Sequence, residues 1–153
     1  MELSLIGRGW ALPTTSRHTH PNRLGQLITL TTEKNEIEQA IGIILMTMPG
    51  ERVMRPDFGC HIHELVFAPN NRQTAVQAER YVTEALRMWE PRITVDQVTA
   101  QPAHVAHESD WLGGQRRDKI VREATLLIKI DYTIKATNDE RSLVYPFYLI
   151  PGE

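Results

Sequence analysis

One cysteine, Cys60, stands in 153 residues, which excludes an internal disulfide framework and any multi-cysteine zinc cluster. Aromatic residues are scarce at 7%, too few for a base-stacking platform. Neither sign of charge dominates. Seventeen Lys and Arg stand against 19 Asp and Glu, a net charge of -2, so the basic field that non-specific nucleic-acid binding relies on is missing and no nucleic-acid partner is expected. The most apolar stretch, Ile37 to Met48, is about a dozen residues broken by Glu38, Gln39 and Gly42, short of the ~18 that would span a bilayer. Met1-Glu2-Leu3-Ser4-Leu5-Ile6 places an acid where a signal peptide carries bases. The expectation is a soluble protein made in the cytoplasm, without direct membrane insertion. No internal repeat and no low-complexity segment is present.

What remains is ordinary globular material, 41% hydrophobic and 24% charged, in a length that suits one domain and buries on the order of 70% of its unfolded surface. Residues 1–26, rich in Gly, Pro, Thr and His, read as an N-terminal arm, and 27–153 as a single domain. Leu27 to Thr31 has strand character. Ile37, Ala40, Ile41, Ile44, Leu45 and Met48 form one apolar stripe at helical spacing. That predicts a first helix over about 33–47, with Thr32 placed to cap it and Pro49-Gly50 to stop it. After an irregular region over 50–71, Asn70 or Asn71 can cap a second helix. Its stripe is Ala78, Val82, Ala85, Leu86 and Trp89, and Pro91 ends it.

The remainder is β. Ile93 and Val95 alternate with Thr94 and Asp96, with Val98 out of phase as at a bulge. Residues 101–118 read as a long polar connection. Ala124 to Ile134 alternates cleanly except at Leu127, predicting a half-buried strand. A turn over 137–142 leads to a last extended segment, Leu143 to Ile150. Helices followed by strands argue α+β: two helices packed on one face of a small, largely antiparallel sheet.

Most candidate chemistry is unspecific. The histidines pair as His18/His20, His61/His63 beside Cys60, and His104/His107, but no spacing matches a zinc frame. Were 60–63 extended, His61 and His63 would point one way and Cys60 the other. Cys60 as a nucleophile has no partner fixed by spacing. An acid pair for glycoside cleavage can be sought among Glu51, Asp57, Glu64 and Glu90, yet 19 acids offer many such pairs. Leu112-Gly113-Gly114-Gln115 lacks phosphate-loop spacing, and Arg116, Arg117, Lys119 and Arg122 are offset by Asp118 and Glu123. No cofactor or metal is expected.

Two features stand out. At the end of the second helix, Glu90-Pro91-Arg92 puts opposite charges about a stiff proline, either as a clamp for a partner or as an ordinary helix-to-strand turn with a local ion pair. Spacing alone favours the turn. Near the C-terminus, Leu143, Val144, Tyr145, Pro146, Phe147 and Tyr148 form an apolar extended run containing proline, which sheets confine largely to edges. Such an edge invites a strand from another chain. The competing reading lays Tyr145 to Tyr148 over the protein's own core.

In order and spacing, the chain resembles the baseplate wedge, or sheath-initiator, family of contractile phage tails, type VI secretion and extracellular contractile injection particles. The resemblance rests on Gly7-Arg8-Gly9-Trp10 with Pro13, Ile37 to Leu45 leading into Thr47-Met48-Pro49-Gly50-Glu51-Arg52, Pro56-Asp57-Phe58-Gly59-Cys60, Phe67, and Glu90-Pro91-Arg92 before a strand. It implies a non-enzymatic structural part, present in six copies per baseplate. Its partners would be wedge proteins, bound through Glu90, Pro91 and Arg92, the sheath protein, bound through a sheet edge, and the central hub or tube. The family is sometimes labelled lysozyme-like, and peptidoglycan cleavage is the alternative activity.

Overall fold

A computed structural model describes residues 33–103 and 124–150. The N-terminal arm, the Leu27–Thr31 strand, the Thr32 cap, the paired His18/His20 and His104/His107, and the Arg116 to Arg122 cluster lie outside these residues. Two α-helices, one 3-10 turn and three strands follow in the order α1 (Glu33–Met46), the turn His61–Leu65, α2 (Arg72–Trp89), β1 (Ile93–Pro102), β2 (Thr125–Ile134) and β3 (Asp139–Tyr148). This is the expected α+β arrangement.

The apolar stripes decide how the helices lie. Ile37, Ile41, Ile44 and Leu45 of α1 and Ala78, Val82, Ala85 and Leu86 of α2 are all buried in one core with the inward residues of the sheet. Each fully buried large aliphatic contributes about 1.5–3 kcal/mol of transfer energy. Met48, predicted to continue the α1 stripe, is instead exposed, because the helix stops at Met46 and the chain has already turned. Asn71 caps α2, its side-chain oxygen accepting from the Thr74 N–H at 2.9 Å.

The sheet is antiparallel throughout, in the order β1-β2-β3. The expected bulge falls between Val95 and Gln97. β1 runs on to Pro102, so Gln101 and Pro102, assigned to the connection by sequence, are ladder residues paired with Leu127 and Leu126. The turn between β2 and β3 is earlier and tighter than 137–142. Asn138 takes a positive φ of 52° and Asp139 already pairs with Ile134, a conformation that Asn tolerates. On β2, Leu126, Ile128, Ile130, Tyr132 and Ile134 face the helices. Thr125 and Leu127, on the other face, are buried too. Leu127, the break in the alternation, is 3% exposed and lies opposite Gln101 and Pro146. The strand is therefore covered on both faces at this end rather than having one polar face.

Between α1 and the 3-10 turn, the loop closes on itself. The Thr47 carbonyl accepts from the Cys60 N–H at 2.9 Å. Gly59 makes this closure possible: its φ is 128°, and a Cβ there would collide with the Thr47 carbonyl. Gly59→Ala is expected to destabilise the protein by about 3 kcal/mol or more in urea unfolding. Gly50→Ala, at φ 93° in open space, should cost only about 1–2 kcal/mol. Equal losses would contradict the clash.

Candidate functional site

α2 runs into Pro91, which lacks an N–H and directs the chain out as β1. At this corner Glu90 is 4% exposed and Arg92 is 37% exposed at its side chain. The two charges do not project outward side by side, as an extended Glu-Pro-Arg segment would place them. Arg92 Nε and Nη2 grip Glu90 Oε1 and Oε2 at 2.7 and 2.8 Å, a bidentate fork. The Arg92 N–H adds a 3.3 Å bond to Glu90 Oε1. Arg92 Nη1 then reaches Glu36 Oε1 on α1 at 3.1 Å. From the other side, the Lys135 N–H donates to the Arg92 carbonyl at 3.0 Å and Lys135 Nζ to the Pro91 carbonyl at 2.8 Å. One guanidinium thus joins α1 and α2, and Lys135 ties the end of β2 to the same corner. The carboxylates hold the Arg92 pKa above its usual value, with the hydrogen bonds it donates to Glu90 the largest cause. Pro91 is exposed, and Glu36 Oε2 is buried with no hydrogen-bond partner among the described residues.

Glu36 is the residue that sequence reading missed. It lies 56 positions from Arg92, on an acid-rich helix start where nothing marks it out from Glu33 or Glu38.

The second site is the edge of the sheet. β1 and β3 are both outermost, but α2 packs along β1, and Glu79 Oε1 accepts the Ala100 N–H at 2.8 Å. The β3 edge is different. The Leu149 N–H donates to the Ala124 carbonyl and the Ile150 N–H to the Val66 carbonyl, each at 2.7 Å. N–H groups alternate sides along a strand, so odd-numbered residues of β3 aim theirs at β2 and even-numbered residues aim theirs outward. Glu140, Ser142, Val144 and Tyr148 then present outward donors, with Pro146 a gap where no ladder bond is lost. Among the described residues no strand pairs with this edge. Side chains divide between faces: Phe147 is buried and Leu143 and Tyr145 pack on the core, whereas Tyr148 is exposed. The inward side chains of this run lie on the protein's own core, while its outer backbone edge has no paired strand among the described residues.

Comparison with known proteins identifies the family. A profile of baseplate wedge protein gp25 matches residues 31–139. The chain belongs to the gp25 family of baseplate wedge proteins. It is similar to Baseplate protein W of Escherichia phage P2, with 33% identity over 104 residues, 68% of this chain and 89% of the phage protein. A crystal structure from Geobacter sulfurreducens, of a protein provisionally named a tail lysozyme, shares 43% identity. It covers 82% of this chain and 98% of its own, at a TM-score of 0.63. The baseplate of the anti-feeding prophage contains a chain of the same fold at 20% identity, covering 93% of this chain and 85% of that one, at a TM-score of 0.52. The wedge protein described here is thus a baseplate component of a phage tail or contractile particle, and its neighbours are other baseplate proteins. Among the described residues no helix is long and apolar enough to cross a membrane.

The remaining candidate chemistry is dispersed by the fold. Residues 61–65 form a 3-10 turn rather than an extended segment, so His61 and His63 diverge. His61 pairs with Glu64 at 2.7 Å on the surface. His63 Nε2 lies 2.9 Å from the Leu45 carbonyl. Cys60 is buried, with Sγ 3.6 Å from the Tyr81 carbonyl. No group of three His, Cys, Asp or Glu among the described residues can share a metal ion.

Burial pushes the Cys60 thiol from 9.0 up to about 11, the opposite of nucleophile activation. The raised pKa stabilises the fold fully below pH 9.0 and loses that contribution as pH climbs to about 11. The slope is about 1.4 kcal/mol per pH unit, because the unfolded thiol ionises first. Burial also raises the Tyr132 and Tyr145 hydroxyls. The check is therefore the difference in unfolding free energy between wild type and Cys60→Ala across this range. It should shrink with rising pH, and a pH-independent difference would contradict the assignment.

Proposed function

We propose that this wedge protein is a non-enzymatic assembly part with two contact elements: the Glu90-Pro91-Arg92 corner, which anchors it to the wedge core, and the outer edge of β3, which accepts a strand from the first sheath subunits. The support for this reading lies in the outer edges of the sheet: on β1 Glu79 takes the Ala100 N–H, whereas β3 keeps outward donors at Ser142 and Val144 and no strand pairs with it among the described residues. Strand addition uses such donors for affinity and alternate side chains for specificity. At the corner, the partner meets the exposed ring of Pro91 and the outer face of Arg92. Glu90 is a positioning residue, buried beneath and fixing the guanidinium. Six copies per baseplate would accompany six wedges, with the central hub or tube as a further neighbour.

We read the acids as structural rather than hydrolytic. The buried Glu90 and the partly buried Glu36 are bound to Arg92. Other acids are tied to neighbours: Glu64 to His61, Glu84 to Arg80, and Asp139 to Arg141. Purified protein is expected to leave the turbidity of a cell-wall suspension unchanged, and clearing that is lost on substituting a glutamate would favour the lysozyme reading instead.

Two variants test assembly. Val144→Pro removes one outward N–H and leaves the bonds to β2 in place. The protein should melt cooperatively, with baseplates forming but extended sheath missing in electron micrographs. Glu90→Ala combined with Arg92→Ala removes both members of the fork, so Glu90 is not left as a lone buried charge, while Glu36 loses its Arg92 partner but keeps 18% of its side chain in water. It should yield folded monomer and no sheathed particles. Normal sheathed particles from either variant would overturn the corresponding contact.

A further inference from the structure

The loop between Thr47 and Cys60 is stiffer, and at its tip more apolar, than a connection between two elements requires. Besides the Thr47–Cys60 closure, the Gly50 N–H donates to the Pro56 carbonyl at 2.6 Å. The Met48 N–H donates to Glu51 Oε2 at 2.9 Å. At the far end, the Arg55 N–H donates to the Arg52 carbonyl at 3.1 Å, making Val53 and Met54 the two corner residues of a four-residue turn. Such corners favour Gly, Asn, Asp, Pro and Ser. Here they hold a β-branched residue and a methionine, 94% and 91% exposed. A local choice that breaks turn chemistry and puts apolar surface in water, on a frame that gains nothing from it, is the kind of inconsistency that marks a functional site.

The base of the loop shows which way it faces. Arg52 lies 3.8 Å above the Phe58 ring, and Phe58 packs on Trp89 with ring centroids 5.2 Å apart. Trp89 is the last residue of α2, directly before Glu90. The turn is therefore braced against the element that carries the proposed wedge anchor. Its charges, Glu51, Arg52, Arg55 and Asp57, cancel, which suits neither a phosphate backbone nor an anionic lipid surface. A preformed apolar tip with a balanced polar collar matches a protein pocket, because little ordering cost remains on binding.

We infer that the Val53-Met54 turn is a docking knob that inserts into an apolar cup on a neighbouring baseplate protein, with Arg55 and Asp57 meeting polar groups at its rim. This rests on the baseplate reading above. It adds a third contact, on residues that neither the corner nor the β3 edge uses.

The test has two arms in the particle-producing host. Val53→Ser combined with Met54→Ser should leave the melting temperature of the isolated chain unchanged, since both side chains are exposed, and should cut the yield of assembled particles about tenfold or more. In parallel, p-benzoylphenylalanine placed at position 54 and irradiated in purified particles should form an adduct with a different baseplate protein. Unchanged yield, no adduct in particles that contain the chain, or an adduct only with a second copy of it would overturn the knob while leaving the corner and edge contacts standing. Particles that lack the chain altogether would overturn the baseplate reading and the knob together.

Discussion

The Arg92 fork is the interaction on which the arrangement of the elements turns. A single guanidinium holds Glu90 at the end of α2 and Glu36 on α1, and its own carbonyl holds the start of the β2–β3 turn through Lys135. Taking Glu90 out of water is costly, and a buried ion pair often gives little net stability over an apolar substitute of the same volume. Its strength is geometric. Bidentate bonding fixes both the plane and the direction of the guanidinium, and with Pro91 limiting the backbone the three elements meet in one orientation. Removing Arg92 alone would strand a buried carboxylate at a cost of about 3–5 kcal/mol, so the corner cannot drift toward a looser version of itself.

That rigidity matters because the other proposed contact element lies elsewhere in the same sheet. Strand order alone gives two edges, and they differ among the described residues: α2 packs against β1 and Glu79 takes its Ala100 N–H. On β3 the Val66 carbonyl takes the Ile150 N–H at one end and Pro146 interrupts the donors. What is left is a short run around Glu140, Ser142 and Val144. A short edge carrying charge and a proline gap resists indiscriminate pairing, as the proposed acceptance of one particular strand requires.

Much of this was readable in the sequence, and the exceptions have physical causes. The stripes of α1 and α2, the Asn71 cap, the β1 bulge and the β2 alternation are local patterns, and local patterns survive folding when the core agrees with them. The 3-10 turn at His61–Leu65 was missed because five residues carry too little period to distinguish it from an extended segment. The β2–β3 turn was placed too late because Asn138 can enter the left-handed region, letting the chain reverse sooner than the run of polar residues suggests. For the site, Glu90, Pro91 and Arg92 were visible as a motif, yet spacing could not show that two of them bind each other. The third partner, Glu36, is 56 residues away and is brought in only by the packing of α1 on α2. The β3 edge was legible through Pro146. The bond from Glu79 to the Ala100 N–H on the β1 edge is something no strand pattern reveals.

The central claim is that this wedge protein hands its sheet on to its neighbours at β3. The most direct measurement is a cryo-EM reconstruction of the assembled particle at a resolution that traces strands. The account predicts a strand from a sheath subunit paired along β3 between Glu140 and Val144, with no sheath strand on β1. A β3 edge left facing solvent, or a sheath strand paired on β1 instead, would contradict it.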